Sequence, residues 1–171
     1  LTSITISSSV ITIGEWAFSG CTSLKSITIP NSVETIEYST FSYCTSLTNI
    51  ILPNSVTTIR SSVFSNCTSL ESITIPSSVT RIESYAFENC KKLKNVYYDG
   101  TIEDWCHIVF DSNTRYPTPM EYASHFYMLN SNNEYEEVTS IEIPDTITSI
   151  GDYQFKGFNN VTSITISSSV T

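Results

Sequence analysis

A period of 23 residues runs through this chain and limits it to one kind of architecture. Aligning Leu1, Leu24, Leu47, Leu70 and Leu93, then Val138 and Val161, brings into register the pattern Leu-x-x-Ile-x-Ile-Pro-x-x-Val-x-x-Ile-x-x-x-Ala-Phe-x-x-Cys. A unit this short cannot bury its own apolar stripe. Stacking each unit on its neighbours covers the stripe, so a fixed period of this length implies a solenoid. The expected product is a rod with one continuous core and a broad, regular outer surface. Such a surface suits binding, whereas catalysis usually needs an enclosed pocket.

Within a unit the apolar spacing changes character. In residues 24–29, Ile27 and Ile29 fall on one face with Thr28 between them, and Pro30 ends the run, which reads as a short strand. Val33 and Ile36 follow at a spacing that fits a second short extended segment, and Thr40 with Phe41 fit a helical or 3-10 turn. Each unit is then one lap of a right-handed coil, rich in β-structure, with parallel sheets. Rungs about 4.8 Å apart give seven strand starts a sheet roughly 30 Å long.

The frame Leu24-x-x-Ile27-x-Ile29-Pro30-x-x-Val33-x-x-Ile36, followed by Phe41 and Cys44, recurs at residues 47–67 and 70–90. It resembles the BspA-type leucine-rich repeats of bacterial surface proteins, related to those described in treponemes. The resemblance covers nearly the whole chain. It implies a leucine-rich-repeat solenoid on the cell surface and a role in adhesion to host matrix proteins or other cells. It is specific for fold and says little about ligand.

The fifth unit keeps the frame in altered form. After Leu93, Val96 and Tyr98, the proline position holds Asp99; Ile102 is expected in the Val position, Trp105 in the second Ile position and Phe110 in the Phe position. Ile102, Trp105, Val109 and Phe110 share one helical face, and Thr101 with Asp104 has the spacing of a capping box, so a helix is expected near 101–109. Register then disappears until Val138. Residues 111–119 are polar and contain proline, and the segments 124–129 and 135–143 flank Asn130-Ser131-Asn132-Asn133, a hairpin turn signal. An irregular insertion over about 111–137 is therefore expected. The resemblance implies the same, since a Gly-Thr-x-x-x-Trp insertion followed by a hairpin, here Gly100, Thr101 and Trp105, is familiar in that family. An individual surface on an otherwise uniform rod competes with the sheet as a binding site.

Contacts in a solenoid are between neighbours, so residues 1–171 are read as a single domain with repeats starting at 1, 24, 47, 70, 93, 138 and 161. The net charge of −9 argues against nucleic acid, because an acidic surface repels phosphate; the only basic concentration is Lys91, Lys92 and Lys94. No stretch approaches the ~20 apolar residues of a membrane helix, and no signal peptide is visible. Residues 1–10 and 161–170 differ only in Leu1 against Val161, and neither end has the polar cap that solenoids use. The expectation is a window cut from a longer array, with end-to-end self-association possible through open strand edges.

Cys21, Cys44, Cys67 and Cys90 recur at the period, as do Phe18, Phe41, Phe64 and Phe87, with Phe155 later in the same position. Metal sites and disulfides need converging thiols, usually with Cys-x-x-Cys spacing for metal, which is absent here. The Cys position is held by Asn113 in one unit and Phe158 in another, so sulfur is not required. Both ladders read as core: thiols behaving as small hydrophobes and rings stacking rung upon rung. Cys106, His107 and His125 lack the spacing of a nucleophile and its base, Glu103, Asp104 and Asp111 lack a calcium loop, and no phosphate loop or nucleophile elbow is present. No enzyme and no cofactor is expected.

Recognition is left to outward positions. Serine and threonine dominate them, and the candidate ligand-binding residues are those that interrupt the hydroxyl rows: Asn49 with Ile51, Asn95 with Tyr97, and Glu142. Trp16, Tyr38 and Tyr85 near the turns are read as half-buried packing, with a second aromatic edge as the alternative. The functional expectation is a non-catalytic adhesion module for a host matrix protein, another surface protein or a glycan. The alternative is a spacer with no ligand of its own; ice binding is disfavoured because the rows are broken.

Overall fold

The computed structural model describes residues 2–111 and 118–171. The chain winds into a β-solenoid of about seven laps. The first four laps each give two strands: β1 (Ser3–Thr5) and β2 (Thr12–Ile13), β3 (Ser26–Thr28) and β4 (Thr35–Ile36), β5 (Asn49–Ile51) and β6 (Thr58–Ile59), β7 (Ser72–Ile75) and β8 (Arg81–Ile82). The fifth contributes β9 (Asn95–Tyr98), helix α1 (Ile102–Cys106) and β10 (Val109–Phe110). A 3-10 turn at Pro119–Glu121 leads to β11 (His125–Leu129), β12 (Tyr135–Glu137), β13 (Ser140–Glu142) and, a lap later, β14 (Ser163–Thr165).

The pairing is the period made visible. Ser3 faces Ser26, Asn49 faces Ser72 and Ser72 faces Asn95, all in parallel ladders. The longest sheet has the order β12-β11-β9-β7-β5, and β10-β8-β6 line the second side of the coil. The alternation that suggested strands holds: Ile27 and Ile29 are buried while Thr28 between them is exposed, because successive side chains leave a strand on opposite faces.

Among the described residues, five of the laps are closed by a turn with two left-handed residues. One set comprises Trp16, Ser39, Ser62, Tyr85 and Tyr153, with φ from 53° to 61°; the other comprises Gly20, Tyr43, Asn66, Asn89 and Gly157, with φ from 60° to 87°. The turn backbone bonds to the next lap, as in Phe18 N to Thr40 O (2.9 Å), Phe41 N to Val63 O (3.0 Å) and Phe64 N to Ala86 O (2.9 Å), so it stacks as regularly as the strands. At Gly157 glycine is required twice, for its φ of 87° and because a Cβ would lie 2.0 Å from the Met120 carbonyl oxygen.

The core carries both ladders. Phe18, Phe41, Phe64 and Phe87 stack with centroids 5.5, 5.9 and 5.7 Å apart. Each deeper thiol donates to a carbonyl of the lap before: Cys44 to Phe18 O (3.2 Å), Cys67 to Phe41 O (3.2 Å) and Cys90 to Phe64 O (3.1 Å). Burial pushes the Cys44 and Cys90 thiols up to about 12, and Cys67 is raised for the same reason. Phe155 does not continue the column. It is half-buried and meets Phe158 edge-on at 5.5 Å, because the column is interrupted at the fifth lap.

That interruption corrects the expected register. Phe110 pairs with Ile82, so it fills the second Ile position and not the Phe position. It lies 28 residues beyond its partner, five more than the period, and those five are the residues of α1. The capping box is formed: Thr101 Oγ1 accepts from Asp104 N (3.1 Å) and Thr101 N donates to Asp104 Oδ2 (2.8 Å); this second bond, with Thr101 Oγ1 donating to the same oxygen (2.7 Å), holds the Asp104 carboxyl below its ordinary range. The helix ends at Cys106, earlier than expected, and Val109 is exposed in β10 while Ile108 is buried. Trp105 is fully buried, T-shaped against Phe126 (4.7 Å) and Phe158 (5.7 Å), and donates from Nε1 to Gln154 O (2.9 Å). Asn113, expected in the Cys position, lies outside the described residues, as does Leu1, the expected start of the first repeat.

Candidate functional site

Along the main sheet, the register sets side chains in two outward rows. One runs Ser26, Asn49, Ser72, Asn95 and His125, and the other Thr28, Ile51, Thr74, Tyr97 and Tyr127; β5 to β11 pair rung by rung, and Thr48 N bonds Lys25 O (3.3 Å) to carry the stack on to β3. β11 thus belongs to the main sheet as a further rung, although it falls within the stretch read as an irregular insertion. Phe126 lies 30 residues beyond its partner Val96, seven more than the period, which hid the rung from a fixed-period alignment.

The rung at β11 changes the chemistry of the second row. Tyr97 stacks on Tyr127 at 4.9 Å with an interplanar angle of 22°, and Tyr135 of β12 tilts against Tyr97 at 4.8 Å and 60°. The hairpin carries Tyr135 there: β12 pairs antiparallel with β11, placing Leu129 opposite Tyr135, and Asn130 Oδ1 holds the turn by accepting from Asn132 N (2.9 Å) and Glu134 N (3.1 Å). The Tyr135 hydroxyl donates to Asp99 Oδ1, and burial, followed by this carboxylate, raises its pKa. The residue remains 41 % exposed.

Of the five candidates read from the sequence, the structure brings Asn49, Ile51 and Tyr97 to one place. Ile51 is 64 % exposed, and an open groove of about 340 Å³ runs between Asn49, Ile51, Ser72, Thr74, Tyr97 and Tyr135. A second groove, about 460 Å³, shares Asn49 and Ile51 and extends over Ser26 and Thr28, with Asp99 the one charged residue among the described residues lining it. Asn95 is half-buried in the other row, beside His125. Glu142 is exposed on β13, which pairs with β14 in a separate sheet, and lines neither groove. Sequence reasoning missed Tyr127 and Tyr135. The available signal was the alternation in β11, where Phe126 is buried and Tyr127 faces out, combined with the hairpin turn that folds Tyr135 back.

At the margin of the cluster His125 Nδ1 bonds Glu137 Oε1 (2.7 Å), and Asn160 Nδ2 donates to the same oxygen (2.9 Å). These bonds, Asn160 first, hold the Glu137 carboxyl below its ordinary range. His107 Nδ1 bonds the Glu103 carbonyl (2.8 Å), and the Cys106 thiol is pushed up to about 11 by burial, the reverse of what a nucleophile needs. Among the described residues no group of three or more His, Cys, Asp or Glu side chains stands where it would hold a metal ion. Trp16 and Tyr38 meet T-shaped at 5.4 Å and are more exposed than the half-buried packing expected of them.

Repeat, register and turn define a leucine-rich-repeat solenoid of the bacterial surface type. The chain belongs to the BspA type leucine rich repeat family, whose profile matches residues 1–116 and 130–171 in six copies. Among solved structures it is similar to a leucine rich cell surface protein from Faecalibacterium prausnitzii, with 39 % identity and a TM-score of 0.63 over 66 % of this chain and 30 % of that one. It also resembles in fold the leucine rich repeat protein of T. pallidum, with 23 % identity and a TM-score of 0.58 over 95 % of this chain and 68 % of that one. The chain therefore spans less than a third of the F. prausnitzii protein. No curated protein matches it. No described helix is long and apolar enough to cross a membrane.

Proposed function

We propose that this chain is a non-catalytic recognition module of a bacterial surface protein, and that it binds its partner across the main sheet at the tyrosine cluster. The observation carrying this reading is the convergence of Tyr97, Tyr127 and Tyr135 beside an open groove with Ile51 in its floor. Aromatic side chains held rigid by their neighbours lose little entropy on binding and recur as energetic anchors of interfaces. The name of the F. prausnitzii relative supports a surface location for the parent protein.

A spacer without a ligand is the competing reading. It is favoured by the uniformity of the first laps, where Ser3, Thr5, Ser26 and Thr28 offer the same small hydroxyls rung after rung. Binding of the purified chain to immobilised host matrix proteins and glycans separates the two. The module reading expects saturable binding that Tyr97→Ala abolishes while the far-ultraviolet spectrum is retained; absence of binding to either class leaves the spacer.

A further inference from the structure

Resting on that reading, we propose that the ligand class is an uncharged saccharide chain, lying along the groove from Ser26 to Tyr135 with the tyrosine rings as its apolar platform. Charge is the first argument. Among the described residues lining the two grooves only Asp99 is ionisable to an anion at neutral pH, none is basic, and the Asp99 carboxylate already accepts the Tyr135 hydroxyl. A phosphate, sulfate or carboxylate ligand would find no cation among these residues, on a chain of net charge −9. A charged peptide would likewise find no partner.

The second argument concerns hydrogen bonds. Ser26, Asn49, Ser72 and Thr74 present neutral groups that both donate and accept, as sugar hydroxyls do. Ser26, Asn49 and Ser72 recur once per rung, with Thr74 beside Ser72 on β7; the rungs lie about 4.8 Å apart, a spacing close to the length of one pyranose unit, so successive sugars meet similar partners. An extended peptide would instead seek a strand edge, whereas these grooves lie on the face of the sheet, where the backbones of β5, β7 and β9 are already paired in the ladder.

The rings supply the third argument. The face of a tyrosine carries the negative lobe of its quadrupole, and the axial C–H bonds of a pyranose present a complementary, weakly positive apolar face. Tyr135 lines the groove with its hydroxyl fixed on Asp99 while the residue is still 41 % exposed, so the ring is oriented before any ligand arrives.

The test is calorimetric titration of the purified chain with neutral hexasaccharides (cello-, manno-, xylo- and malto-series), with a sulfated oligosaccharide and an enzymatically deglycosylated matrix protein as separate arms. Saturable binding of a neutral series is expected, weakened about tenfold or more by Tyr135→Ala and unchanged by Tyr43→Ala, an exposed tyrosine on the turn side. Ile51→Arg, at a 64 % exposed position in the groove floor, gives the same loss without touching the hairpin, so it serves should Tyr135→Ala misfold. Sugar binding indifferent to both variants overturns this site. Binding of the sulfated sugar alone, or of the deglycosylated protein alone, overturns the saccharide class assigned here and leaves the recognition module standing. Absence of binding in every arm overturns both.

Discussion

Single side chains in this fold are judged by the rungs above and below them. Phe64 sits between Phe41 and Phe87 at 5.9 and 5.7 Å, fully buried. Phe64→Ala removes ring contacts on both sides and opens a cavity no neighbour can fill; a loss of ~3–5 kcal/mol is expected by urea unfolding. Cys67, in the same lap, is closed off in the same way. Its thiol points at a carbonyl and is raised by burial, so it is an acid too weak and too hidden to react. Thiol labelling of the native chain at neutral pH should spare Cys44, Cys67 and Cys90 and reach all three only on unfolding; rapid native labelling of Cys67 would contradict the packing described.

Elements matter most where the period breaks. Helix α1 is five residues long and would not persist alone; its capping box and the burial of Trp105 hold it. Gly100 allows the chain to enter, since a Cβ there would lie 2.6 Å from the Tyr98 ring. Trp105 then couples α1 to the laps after the hairpin through Gln154, whose side-chain Nε2 donates back to Trp105 O. Trp105→Phe keeps a ring but leaves the Gln154 carbonyl without its donor, at a cost of about 1–3 kcal/mol. Hydrogen exchange is expected to quicken across 153–158 while the amides of β7 stay protected.

These breaks also set what could be read beforehand. The laps from Leu24 to Cys90 were legible to the residue because each position is dictated by an identical neighbour. The capping box was legible from Thr101 and Asp104 because it is local. The rung at β11 was not: its register is fixed by β9 across a seven-residue slip, and only pairing in space reveals it. Ile51 and Tyr97 were identifiable as interruptions of a row, but their union with Tyr135 depends on a hairpin whose partner strand could not be assigned from spacing.

At the scale of the whole molecule, the stacked thiols give stability a pH dependence. Cys44 and Cys90 are raised in the folded chain from about 9 to about 12, so between those limits the unfolded chain has released protons that the folded chain retains. The thiol contribution is present in full below pH about 9 and is lost as pH rises towards 12. Chemical-denaturation midpoints should fall over this window, and replacing both cysteines by alanine should flatten that slope even though it lowers stability at neutral pH.

The one-to-one register of β1 with β3 and of β5 with β7 makes the early laps interchangeable. A gene segment encoding one whole lap can be duplicated or lost by recombination between its similar copies, and the strand register of the remaining rod is restored. The tyrosine cluster, built where the copies diverge, is untouched by such exchanges. Every lap gained moves it about 4.8 Å further along the rod, so a lineage can adjust how far the cluster stands from the start of the rod without altering its side chains.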